Sequence, residues 1–393
     1  MKLACVVHRF GAEIAGGSEA HCRQIAEHLA QAHDVTVLTS CAADHVTWAN
    51  HYPAGESTVG RVRVRRFETA RRRDLHRFRD ISRIVFSGRA SAAQQEEWFR
   101  ENGPDVPALL GHLRRHGGDY DRILFWSYRY FQTYFGLPLV ADRSILVPTA
   151  EEDPLIRVDA LETFFALPSG YLFLTPEEAA LVGGRCQLLA PSAVIGIGLE
   201  PAAGGGDRAA LDALGLADPF VLYLGRVDPN KGCDTLLRYF SRYAAGRDVR
   251  LVLAGPANMP VPAHPAIRTL GFVGDGLREA LLTRARVLVM PSRYESLSMA
   301  LLEAWNRGVP ALVNARCDVL RGQVRRADGG LYYSGAAEFA AALDYLLDRP
   351  ADARAIGGQG LAYVEHEYRW PAVMKKIETI LADHRPRRPY PGR

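Results

Sequence analysis

Short runs of aliphatic and β-branched residues, each followed by a helix-length segment, occur twice in series along this chain. The first series is LACVV (Leu3 to Val7), DVTVL (Asp34 to Leu38), RILFW (Arg122 to Trp126) and SILVP (Ser144 to Pro148). Their apolar residues run on with little alternation, as in strands buried on both faces, so the pattern predicts parallel sheets covered by helices. A stretch rich in Gly, Ala and Pro, GIGLEPAAGGGD (Gly196 to Asp207), then breaks the rhythm and holds no regular structure. The rhythm restarts with FVLYLG (Phe220 to Gly225), RLVLAG (Arg250 to Gly255), RVLVMP (Arg286 to Pro291) and PALVN (Pro310 to Asn314).

At 393 residues the chain exceeds one hydrophobic core. It reads as two α/β units, each doubly wound: a Rossmann-like domain over 1–198, a linker over 199–207, and a second such domain over 208–367. A closing segment, 368–393, follows. Sheets of this kind bind ligands beyond the carboxyl ends of their strands, so two of them facing each other would frame a central cleft lined by strand-to-helix loops.

Three such loops carry residues suited to one chemistry. GRVDPNKGCDTLL (Gly225 to Leu237) is a strand end, a turn through Pro229 and Asn230, and a helix start that delivers Arg226 and Lys231. A pyrophosphate leaving group gains negative charge as its glycosidic bond breaks, and two fixed cations would stabilise that charge. Lys231 is one of only four lysines (Lys2, Lys231, Lys375, Lys376) among 48 basic residues. The alternative reading is a pair of solvated surface cations.

In MPSRYESLSMALLEAWNRGVP (Met290 to Pro310), Glu295 and Glu303 bracket Ser296, Leu297 and Ser298 at a helix start. Amides at a helix N-terminus suit a pyrophosphate, and the two carboxylates suit the hydroxyls at either end of a ligand; helix capping is the structural alternative. FGAEIAGGSEAHCRQIAEHL (Phe10 to Leu29) places Gly16 and Gly17 between the first strand and an amphipathic helix. Glycines there let backbone approach a phosphate or an acceptor, although a flexible loop is the plainer reading and the G-x-G-x-x-G spacing of a dinucleotide site is missing. His8 ends the first strand, either as an acceptor contact or as a structural histidine.

These three segments, in this order, resemble glycosyltransferase family 4, retaining enzymes of GT-B fold. The likeness extends to YRWPAVMKKIETIL (Tyr368 to Leu381), similar to the family's C-terminal helix that crosses back to the first domain. The resemblance implies that Arg226 and Lys231 bind the donor diphosphate, Glu303 the ribose and Glu295 the transferred sugar, with Gly225 and Gly271, Phe272 and Val273 lining the nucleotide. It implies a nucleoside-diphosphate sugar as donor, retention through front-face attack, and neither cofactor nor metal. Two departures stand out. Ser296-Leu297-Ser298 replaces a common Gly-Phe-Gly, and TAEEDP (Thr149 to Pro154) puts Glu151 and Glu152 where a His-Asp pair often touches the sugar 6-hydroxyl. Three acids at that loop would favour a small polar acceptor, cationic by charge complementarity, of the kind met in antibiotic or other specialised metabolism; a helix N-terminus enriched in acids is the plain alternative.

Other features narrow the field. The basic run from Arg61 to Arg89 reads as a solvated face, as a contact for an anionic membrane surface or acidic partner, or as a nucleic-acid site; no stacking pattern supports the last, and no nucleic-acid partner is expected. A membrane-associated acceptor, as in polysaccharide or lipid-linked glycan assembly, is the second reading of function. A nucleotide-sugar epimerase or hydrolase and a non-catalytic binding protein are the readings from other classes. Asp119-Tyr120-Asp121 has D-x-D form before a strand but reads as a solvated approach, and His112 and His116 read as a surface helix without a third zinc ligand. Six cysteines without a C-x-x-C pair fit reduced thiols, and no apolar stretch reaches membrane-spanning length, so a cytoplasmic protein is expected.

Overall fold

A computed structural model describes residues 1–14, 16–202, 204, 208–216 and 220–383. The chain forms two compact units, Met1–Gly198 joined by the chain from Val373 onward, and Leu199–Ala372. Part of the expected linker, residues 203 and 205–207, lies outside the described residues.

The first unit is built on β1 (Lys2–Val6), β2 (Asp34–Ser40), β3 (Gly55–Val59), β4 (Val62–Phe67), β5 (Arg122–Trp126), β6 (Ser144–Val147), β7 (Gly170–Phe173) and β8 (Ser192–Val194). They form one sheet in the order β3-β4-β2-β1-β5-β6-β7-β8. Every pairing is parallel except the β3–β4 hairpin. The central strands are buried along nearly their whole length, which explains their continuous apolar runs.

The second unit carries β9 (Phe220–Leu224), β10 (Leu251–Ala254), β11 (Ile267–Gly271), β12 (Ala285–Met290), β13 (Ala311–Asn314) and β14 (Gly330–Tyr333). All are parallel, in the order β11-β10-β9-β12-β13-β14. The order reverses between β9 and β12, so the loops after these two strands lie at the topological switch point where ligands of such sheets bind. They are the loops that carry Arg226, Lys231 and Glu295.

The helix Cys233–Tyr243 buries Cys233, Leu236, Leu237, Phe240 and Tyr243, one stripe at helical spacing. The last helix, Trp370–Ala382, leaves the second unit at Ala372 and buries Val373, Ile377, Ile380 and Leu381 in the first. Glu378 meets His33 there at 2.9 Å.

The Arg61 to Arg89 run is not one basic face. Arg63 pairs with Asp34, Arg65 with Glu56, and Arg71 and Arg77 both reach the buried Glu101. Arg66 and Arg73 are turned inward, to the Phe10 and Asn102 carbonyls. The reading of His112 also changes. It is 4% exposed, packed against Phe67, and burial lowers its pKa to about 4, so this helix is docked rather than superficial. Asp121 accepts the Lys2 amide at 2.7 Å, and among the described residues no group of three His, Cys, Asp or Glu could hold a metal ion. No described helix is long and apolar enough to cross a membrane.

Candidate functional site

The turn after β9 is held from several sides before any ligand arrives. Gly225 takes φ +148°, and Tyr223 Oη donates to the Arg226 carbonyl at 2.7 Å. Asp228 caps the following turn by accepting the Asn230 amide at 2.9 Å. Gly232, at φ +73°, opens the helix Cys233–Tyr243, and a Cβ there would lie 2.3 Å from the Pro291 carbonyl oxygen. Only glycine lets the two strand-end loops meet this closely.

That contact brings together two residues 64 apart in sequence. Lys231 Nζ donates to Glu295 Oε1 at 2.9 Å, with side chains 27% and 10% exposed. Arg226 is held more loosely, its Nε 3.7 Å from Asp228 and its side chain 43% exposed. A cation tied to a carboxylate and a second, more exposed cation thus stand on one switch-point turn.

Glu295 is followed by the helix Met299–Trp305, whose N-cap Ser298 accepts the Leu301 amide. Leu297 is buried, and the Ser298 amide points to Gln323 Oε1 at 3.4 Å. So the Ser298 amide, expected to be free for a phosphate, already has a partner. Glu303 is 8% exposed and paired with Arg278 of the helix Asp275–Arg284. Burial pushes its carboxyl above the ordinary value, and Arg278 opposes that rise. Arg307 ties to Glu279 and donates to the Glu303 carbonyl at 2.7 Å. Sequence reasoning missed Arg278. Its position one turn into a helix opened by Gly274 was the available signal. Beside that helix, Gly271 is at φ +68°, Val273 is buried, and Phe272 stands 77% exposed.

In the first unit the glycine-rich loop packs around a buried carboxylate. A Cβ on Gly16 would lie 2.2 Å from Glu19 Oε2, so Gly16 makes room for the protein's own carboxylate. Gly17 is the exposed first residue of the helix Gly17–Leu29. Glu19 is 5% exposed; burial would raise its pKa, but His8, Arg9 and Ser18 outweigh that and hold it strongly ionised. His8 is 1% exposed, bonded to Glu19 at 2.8 Å and stacked on Tyr130 at 3.7 Å. Its burial and these partners are what a structural histidine would show.

The acidic loop after β6 is not an uncompensated anionic trio. Asp153 caps the turn Pro154–Arg157 and meets Arg129 at 2.7 Å, Glu151 lies 3.9 Å from the same guanidinium, and Glu152 lies 3.6 Å from Arg157.

The two sheets and their loop placement define the GT-B class of glycosyltransferase fold. Residues 218–349 match the family model of glycosyl transferases group 1. The chain is 31% identical over 165 residues to an MMP alpha-(1->4)-mannosyltransferase of Mycolicibacterium hassiacum, covering 39% of this chain and 40% of that one. It is 30% identical over 119 residues to an alpha-D-kanosaminyltransferase of Streptomyces kanamyceticus, covering 25% and 29%. The matches thus span well under half the length of these curated relatives. Among solved structures, sucrose-phosphate synthase from Thermosynechococcus elongatus aligns with TM-score 0.72 at 18% identity, over 96% of this chain and 98% of that one. Anabaena HepE, in complex with UDP and glucose, aligns with TM-score 0.70 at 15% identity, over 97% and 99%.

Proposed function

We propose that this protein is a retaining glycosyltransferase that moves a glycosyl group from a nucleoside-diphosphate sugar to an acceptor hydroxyl, giving an α-type linkage without a metal ion. The observation that carries the reading is the Lys231–Glu295 pair on adjoining switch-point loops, with the partly exposed Arg226 on the same turn. Lys231 and Arg226 take the diphosphate, where their charge matches what the leaving group gains. Glu295, released from Lys231, takes hydroxyls of the transferred sugar. Glu303, buried and oriented by Arg278, takes the ribose, and Phe272 offers a face to the base.

In the proposed reaction the bond between the sugar's anomeric carbon and the phosphate oxygen breaks while the acceptor oxygen bonds to the same face. The acceptor proton passes to the departing phosphate oxygen. An α-kanosaminyltransferase among the relatives supports a small-molecule acceptor of specialised metabolism. A cationic preference loses its basis, because Arg129 and Arg157 already meet the loop acids. Polysaccharide or lipid-linked glycan assembly at a membrane surface is the second reading, favoured by exposed Leu75, Ile84 and Phe86 near Arg79 and Arg83. The cytoplasm is the proposed location.

The test is a panel of nucleotide sugars and nucleoside diphosphates followed by thermal shift, since a ligand at 100 times its Kd adds about 2.7 kcal/mol. The stabilising donor is then incubated with and without candidate acceptors. Nucleoside diphosphate released only with an acceptor supports transfer. Donor consumed equally without one would instead identify an epimerase or hydrolase.

A further inference from the structure

Two ion pairs tie the helix Asp275–Arg284 to the helix Met299–Trp305 and the turn after it, and they run in opposite directions. Arg278 reaches Glu303, while its neighbour Glu279 receives Arg307. Arg307 spends Nε and Nη2 on the two Glu279 oxygens and donates from Nη1 to the Glu303 main-chain carbonyl. Its charge is therefore already matched by a carboxylate, and Arg278 is left to balance Glu303.

The Glu303 side chain is 11% exposed and that of Arg278 37%. Arg278 engages Oε2, and Oε1 has no hydrogen-bond partner among the described residues. An ionised carboxylate accepts on both oxygens, so it can take two neighbouring hydroxyls at once. A protonated carboxyl loses part of that capacity and presents a donor instead.

Which form stands in the site depends on opposing influences. Burial favours the protonated form and raises the pKa of Glu303; Arg278 is the strongest opposing group, followed by Arg307, and Glu279 adds to the rise. Since Arg307 and Glu279 largely cancel each other, the Arg278 charge decides the outcome.

We propose that Arg278 is a positioning residue for the donor nucleotide: its guanidinium holds the Glu303 carboxylate as an acceptor for both hydroxyls of a ribose. The proposal rests on the reading that Glu303 takes the ribose. It adds that preference for a ribonucleotide is set from a different helix, and that losing Arg278 makes this preference depend on pH. An opposite charge in contact moves the titration of a carboxyl by about 1–3 pH units, so without Arg278 the ionised form of Glu303 is lost at a correspondingly higher pH. The Glu279–Arg307 pair still joins the two helices in that variant, which keeps the fold in place.

The experiment measures, by calorimetry, the affinity of UDP, GDP and ADP and of their 2′,3′-dideoxy counterparts between about pH 5.5 and about pH 9. The dideoxy ligands carry the same diphosphate, so its own titration cancels in the ratio of the two affinities. In Arg278→Gln this ribose preference should fall about tenfold or more at about pH 6.5, relative to wild type, and return to within about threefold by about pH 9. Arg278→Lys should follow the wild-type profile within about threefold. Adding Glu303→Gln to Arg278→Gln should remove the pH dependence. An arginine with a merely structural role would weaken ribo and dideoxy ligands alike at every pH, and that result would overturn the proposal. So would a pH dependence that survives in the double variant. If wild type bound none of the three nucleotides, showed no ribose preference, or kept it in Glu303→Gln, the ribose reading itself would fail and the proposal with it. A preference lost in Glu303→Gln but independent of pH in Arg278→Gln would sink the role of Arg278 alone.

Discussion

Replacing Glu295 by Ala is expected to tighten the binding of a free nucleoside diphosphate while abolishing most turnover of the sugar donor. In the unliganded protein Lys231 is engaged with Glu295 at 2.9 Å, and a diphosphate must compete with that carboxylate. At an effective dielectric of about 20 the gross attraction at this distance is about 6 kcal/mol. Desolvation and side-chain ordering offset most of it, and Lys231 is 27% exposed to screening water. The net coupling is therefore about 1 kcal/mol. Removing this competing carboxylate should then raise affinity for the diphosphate about fivefold. The gain should shrink in high salt, because the Debye length falls to about 3 Å at 1 M. Turnover should move the other way: kcat/KM for the sugar donor should fall about 100-fold or more, as the sugar loses its carboxylate. Calorimetry with the diphosphate, at low and high salt, and steady-state kinetics with the intact donor are the measurements. If Glu295→Ala weakened the diphosphate as much as Lys231→Ala does, the pair would not be a competition for Lys231, and the assignment of both residues would fail.

Lys231→Ala and Arg226→Ala should each lower kcat/KM about 100-fold or more with the fold intact; either variant retaining about a third of wild-type turnover would misplace the diphosphate. Glu303→Gln should weaken donor and free nucleoside diphosphate alike. It should also stabilise the protein with rising pH, because a carboxyl held above its ordinary pKa stabilises the fold at low pH and loses that contribution as pH climbs through the raised value; urea unfolding across pH checks this. Glu178→Ala should cost about 2–4 kcal/mol, since the buried carboxyl group accepts the Ala150 amide at 2.6 Å and the Leu174 amide at 2.5 Å, and both would be left unpaired. For His21, burial lowers the pKa to about 4, so the unfolded chain takes the proton first as pH falls below about 6.5, and stability drops by about 3 kcal/mol on the way to pH 4. His21→Leu should flatten that slope in the same unfolding series.

Much of this architecture was legible in the chain itself. RILFW, SILVP, FVLYLG and PALVN announced buried parallel strands because a strand covered on both faces has no polar side to show. The strands that escaped notice, such as GESTV of β3, VRVRRF of β4 and the three-residue β8, are short, edge-placed or rich in arginine, and their partners rather than their composition make them strands. The same division runs through the candidate site. Arg226, Lys231, Glu295 and Glu303 could be picked from sequence because a strand end followed by a helix start fixes where a side chain emerges. What a side chain meets there depends on residues far away in the chain. Glu295 lies 64 residues beyond Lys231, Arg278 lies 25 residues before Glu303, and Arg129 neutralises acids that read as free in the linear text. His8 and Gly16 show the limit most plainly. The sequence placed both at the end of the first strand, as a phosphate or acceptor loop would have them. Only folding the helix Gly17–Leu29 back against that strand brought Glu19 between them, and burial then made the carboxylate, the histidine and the glycine a structural unit.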